Sequence, residues 1–143
     1  MKDVLLDYDT PWNKVHWRSM VASYTASPFF ELMMDELKPF YSGKIKYLID
    51  LNMGLLKTTL GLLGVHTSVK TTETFIPIAE NEDPREVIHP KLDLSEVDPG
   101  FLPVAYHQVF SDRHGFIPNL SVLDLLFNEG PHASGILQKS LKT

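Results

Sequence analysis

Between Lys44 and Leu63 the apolar residues Ile45, Leu48, Ile49, Leu55, Leu56, Leu60 and Leu63 recur mostly at helical steps. At roughly 100° per residue they form one wide face, with Lys46, Asp50 and Lys57 opposite. Gly64 is placed to cap this helix at its C-terminus. Two further helices are expected upstream. Thr10-Pro11 supplies a cap and a first helical residue for Pro11 to about Tyr24. Ser27-Pro28 repeats the signal, for a helix from Pro28 to about Lys38 that Pro39 should end. After Gly64 the pattern changes. His66 to Ile78 is rich in Thr, Val, Ile and Phe, which predicts a strand, and Pro77 confines it to an edge or a strand end. Glu80 to Pro103 carries four prolines at 84, 90, 99 and 103. It reads as a connection of roughly two dozen residues with at most a helical turn at Pro84 to Ile88. Further on, Val122, Leu123, Leu125, Leu126 and Phe127 make a short buried helix. Ser121 and Asp124 have the spacing of a capping box at its start, and Gly130-Pro131 ends it and opens the next. The fold class expected is mainly α (α+β), a helical domain of about five or six helices with one or two short strands.

Tyr106 to Asn119 sets His107, Gln108, Asp112, Arg113, His114 and Asn119 directly before that last buried helix. Polar loops resting on a rigid apolar element commonly carry function. Composition narrows the choice of function. The 143 residues are 43% apolar and 22% charged, with a net charge of −5, which suits one globular domain. No two Lys or Arg residues are adjacent, which argues against a surface that tracks nucleic-acid phosphates. No window approaches the roughly 18 apolar residues of a membrane span, and the acidic N-terminus is unlike a signal peptide. Cysteine is absent, so disulfides and thiolate metal sites are excluded. The six histidines form no H-x-x-x-H and no glycine loop for a nucleotide occurs, so no metal site is expected, and the sequence leaves any cofactor unknown. A cytoplasmic enzyme or binding protein is expected.

Three blocks carry a family resemblance. They are Gln108-Val109-Phe110 with Gly115-Phe116 and Asn119 to Gly130, then His16-Trp17-Arg18-Ser19 with Tyr24 and Ser27 to Phe30, and more weakly Leu48 to Asn52. In this order, from about Trp12 to about Leu137, the chain resembles the WbqC-like proteins. The resemblance implies a part in bacterial surface polysaccharide (O-antigen) biosynthesis. It implies transfer of an aminoacyl (glycyl) or acyl group to an amino sugar, with a nucleotide-linked sugar as substrate. The alternative is a non-catalytic assembly or interaction protein of the same pathway. Residues 1–143 are expected to be a single domain, the C-terminal portion of the family's full-length pattern, lacking most of a strand-rich N-terminal section. Apolar surface left by that section would be exposed or covered by a partner, which leads to the expectation of a homo-oligomer.

Such a transferase needs a base near the amine and donors near the developing oxyanion. His107 or His114 suits the first role, with Asp112 as orienter; Gln108, Arg113 and Asn119 suit the second. The same residues also fit a plain loop, in which Gln108 and Asn119 tie down backbone and Asp112 to His114 form a solvated turn ending at Gly115. Asn119 is also an alternative helix cap. His16 lies one turn from Trp12 and Met20 and suits packing as well as catalysis. Arg18 suits a carboxylate or phosphate, or an acidic side chain. Trp17 suits stacking or packing. Asn52 falls on the apolar face of the third helix, where an unpaired amide would cost about 1–3 kcal/mol. It is expected either to fix packing or to line a pocket floor. The site expected from sequence is thus His16 and His107 as catalytic residues, with Arg18, Asn52, Gln108 and Asn119 binding substrate.

Overall fold

The computed structural model describes residues 3–77 and 100–142. Over these residues it is mainly helical, as the apolar periodicity predicts. The helices are α1 (Trp12–Tyr24), α2 (Phe30–Ser42), α3 (Leu48–Leu62), α4 (Ser111–His114), α5 (Val122–Glu129) and α6 (Ala133–Lys139), with a 3₁₀ turn at Gly130–His132. α2 is the central element and packs against α1, α3 and α5. It does so because Phe30, Met33 and Leu37 repeat at helical steps and are all buried. They meet Leu125, Leu126, Phe127 and Ala133 to form the core. The Phe127 ring sits 5.0 Å from that of Phe30, edge to face, and 5.1 Å from that of Tyr24.

Gly54 of α3 and Gly130 are both places where a side chain would not fit. A Cβ on Gly54 would run into the Phe40 ring, and one on Gly130 into Phe29. Gly130 also holds φ +53°, a left-handed value that disfavours a side chain. α3 ends in a Schellman motif. Val65 N–H donates to Leu60 O at 2.9 Å and Gly64 N–H to Gly61 O at 3.0 Å, with Gly64 at φ +68°.

Several expectations need correction. Thr10 does not cap α1, which starts at Trp12 with Pro11 in the cap position and no side-chain cap bond. α2 does not stop before Pro39 but runs through it to Ser42. Proline removes one N–H from the ladder. Here the carbonyl left without it belongs to exposed Asp35, where water can serve it. Beyond Pro39, Phe40 packs on Gly54 and Tyr41 on Trp17, so tertiary contacts carry the helix one more turn. α3 begins at Leu48 rather than Lys44 because Leu6 N–H and Leu48 N–H bond Lys46 O and Val4 O across an antiparallel bridge.

The expected strand does not form within residues 66–77, which are neither helix nor strand and leave Phe75 and Ile76 exposed. β-branched composition favours a strand only where a neighbouring edge and a packed face accept it. Among the described residues, extended pairing amounts to the isolated bridges Leu5 to Tyr47 and Phe101 to Leu141. The turn expected at Pro84 to Ile88 lies outside the described residues.

Candidate functional site

Gln108 organises the loop before α5. Its side chain is buried, donates to Ile117 O at 2.8 Å and accepts from Ile117 N–H at 2.9 Å. One amide thus closes both hydrogen-bonding groups of one backbone residue, as a strand partner would. Within the loop, Asp112, Arg113 and His114 are exposed on the single turn of α4, and Gly115 leaves that turn at φ +68°. Asn119 is exposed at φ +56°, a left-handed position that Asn tolerates better than most side chains. It does not cap α5. Ser121 does, its Oγ accepting from Leu123 N–H at 3.3 Å. His107 is exposed, and its backbone N–H donates to Glu129 Oε1 at 3.2 Å.

Beneath the loop lies a hollow of about 110 Å³. Its wall is mainly apolar, from Tyr106, Phe116, Leu120, Val122 and Ile136, with Asn119 and Ser140 as its polar members.

Asp124 corrects the capping-box expectation. Its carboxylate does not turn back to the helix start. It is buried and accepts from the Tyr106 hydroxyl at 2.8 Å. Burial, reinforced by Asp124, pushes the Tyr106 phenol up to about 12. Tyr24 is raised as well, first by burial and then by Asp124. Two phenols from distant segments therefore converge on one carboxylate behind the loop. The available signal was an Asp set in the middle of the apolar run Val122 to Phe127, a position where a charge requires partners.

The α1 residues diverge. Arg18 lines a cleft of about 310 Å³ between α1 and α2, with Lys14 and Trp17 from α1 and Lys38, Tyr41 and Ser42 from α2. His16 stands two residues from Arg18, roughly 200° around the helix. It is exposed and set edge-on to Trp12 at 5.6 Å. Asn52, expected on a buried face, is exposed. Leu51 is the buried residue of α3, and Leu55, Leu62 and Leu63 pack on the core. The helix is apolar around most of its circumference, so its periodicity did not single out the face that α2 would cover. Arg18 and Asn119 thus line separate cavities, one formed by α1 and α2 and the other below the 116–120 turn.

The amino-acid sequence of this helical chain matches a known family of proteins. The chain belongs to the WbqC-like protein family, whose sequence profile matches residues 1–97. That span holds α1 to α3 and the cleft, while the 107–119 loop follows it. Among individual relatives, the chain is 28% identical over 160 residues to the uncharacterized protein Rv1507c of Mycobacterium tuberculosis, covering 96% of this chain and 69% of the relative. No solved structure matches. Among the described residues, no helix is long and apolar enough to cross a membrane.

Proposed function

We propose that this WbqC-like protein acts in bacterial surface polysaccharide (O-antigen) biosynthesis, transferring an aminoacyl (glycyl) or acyl group to the amine of a nucleotide-linked amino sugar. The observation that supports this reading is the mainly apolar hollow under a loop pinned by Gln108, with Asn119 at its wall. The hollow suits a small acyl group, and a fixed loop is what holding donors at an oxyanion requires. In the reaction the sugar amine attacks the donor's carbonyl carbon. The new C–N bond forms, and the bond to the donor's leaving oxygen or sulfur breaks. The amine proton passes to a base and then to the leaving group. His107 is the base in this reading, and His16 the alternative. Asn119 donates to the carbonyl oxygen, and Gln108 fixes the loop.

The test is purified protein with UDP-glucosamine and, in separate reactions, acetyl-coenzyme A or a glycyl thioester, read by mass spectrometry. N-acylated product that is lost in Asn119→Ala and in either His107→Ala or His16→Ala supports the reading. Product that survives all three substitutions overturns the assignment of these residues.

A second reading, a non-catalytic interaction protein of the same pathway, has its own observation. Phe110, Ile117 and Leu120 are exposed on the same loop, forming an apolar fringe around its polar residues. No product with either donor, together with saturable binding of UDP-glucosamine, would favour it.

A further inference from the structure

The cleft between α1 and α2 has a composition that packing alone does not explain. Lys14 and Arg18 stand one turn apart on α1, where like charges repel by a few tenths of a kcal/mol. Lys38 faces them from α2. Three of the chain's thirteen Lys and Arg residues therefore converge on one hollow, in a chain of net charge −5. Among the described residues, no carboxylate lines the cleft. None of the three cations makes an ion pair among the described residues. A concave, cation-lined surface concentrates its field on an incoming anion.

The back wall is aromatic. The rings of Trp17 and Tyr41 lie 6.0 Å apart, inclined by 33°. Asn13 fixes their relation. It is buried and donates from Nδ2 to Tyr41 O at 2.8 Å, tying α1 to the end of α2. Carbonyls at a helix C-terminus carry partial negative charge and would oppose an anion. Here the Asn13 amide covers that of Tyr41, and Gly43 N–H covers that of Pro39 at 3.2 Å. Two of the four carbonyls at the end of α2 are thereby satisfied where it meets the cleft.

We infer that the α1–α2 cleft is a binding site for a phosphate ester carried on a ring, with Lys14, Arg18 and Lys38 receiving the phosphate oxygens and Trp17 and Tyr41 lying against the ring. Arg18 can bind two oxygens at once, while the lysines act as point charges. Nucleoside diphosphates and sugar phosphates share this chemistry. The site does not depend on the acyl-transfer reading and stands if that reading fails.

The experiment titrates the intact protein with pyrophosphate, UDP and glucose 1-phosphate, following tryptophan fluorescence and calorimetric heat at low salt. Saturable binding is expected, weakening as salt is added. Arg18→Ala and Lys38→Ala should each weaken it roughly tenfold or more. Lys142→Ala, far along the chain and outside the cleft, is the charge control. All three positions are exposed, so circular dichroism should report an unchanged fold. Absence of saturable binding overturns the site, as does an equal loss in Lys142→Ala. UDP binding more tightly than pyrophosphate assigns the ring to a nucleoside. Glucose 1-phosphate binding more tightly assigns it to a sugar. Equal binding of all three overturns the ring-bearing ligand.

Discussion

At Gln108 a single buried amide satisfies two backbone groups of Ile117, so its loss would leave both without a partner. Gln108→Ala is expected to cost about 1–3 kcal/mol and to loosen residues 109–117. Urea denaturation and amide exchange of Ile117 would check this; an unchanged Ile117 would refute the tie. Ser121→Ala removes a cap bond that is already long at 3.3 Å, so about 1 kcal/mol or slightly less is expected from thermal melts. The tyrosines give a pH dependence. An unfolded phenol ionises near 10 and the folded Tyr106 near about 12, chiefly because of burial. Below the lower value both states keep the proton and the contribution is fully present. Between about 10 and about 12 the unfolded chain releases its proton first, and stability falls. Tyr24 and Tyr41 are raised in the same direction. Urea midpoints should therefore drop less steeply over this range in Tyr106→Phe than in the parent.

Among the elements, α2 departs most from local rules. Its Pro39 lies inside the helix and is exposed. Nothing in its packing requires the ring, and alanine would restore the missing N–H. Pro39→Ala is expected to raise the melting temperature, with a gain below the roughly 3 kcal/mol of a mid-helix proline because it lies near the helix end. A fall would mean that the ring itself is needed. The same element shows why the sequence misplaced the boundary. Proline signals a stop through its own chemistry, whereas the reason to continue lies in the Gly54 and Trp17 contacts of two other helices.

For the molecule as a whole, Phe127 is the keystone, with none of its surface exposed and rings from α1 and α2 against it. Phe127→Ala should cost about 3–5 kcal/mol, much of the stability of a domain this size. A cooperative melt close to that of the parent would contradict this account of the core. The arrangement around this core also sets the two candidate regions apart. α1 and α2 frame the cationic cleft, and α5 supports the 107–119 loop. Function read from this chain therefore concerns two surfaces, and the phosphate titration and the transfer assay examine them independently.

Apolar spacing determined that the chain is mainly helical and roughly where α3 and α5 lie; proline signals placed α1 and α2 approximately, and turn chemistry gave Ser121 as the cap of α5 and Gly130 as its end. These follow from local periodicity and turn chemistry, which act over one or two turns of chain. The family, too, was legible in the order of a few short blocks. Tertiary structure alone decided which face of α3 is covered, exposing Asn52, and turned Asp124 inward to Tyr106 instead of back to its own helix. It also brought Lys38 of α2 to Arg18 of α1. Each of these depends on which distant segment arrives as neighbour, and a neighbour brought by packing leaves no mark in the spacing of nearby residues.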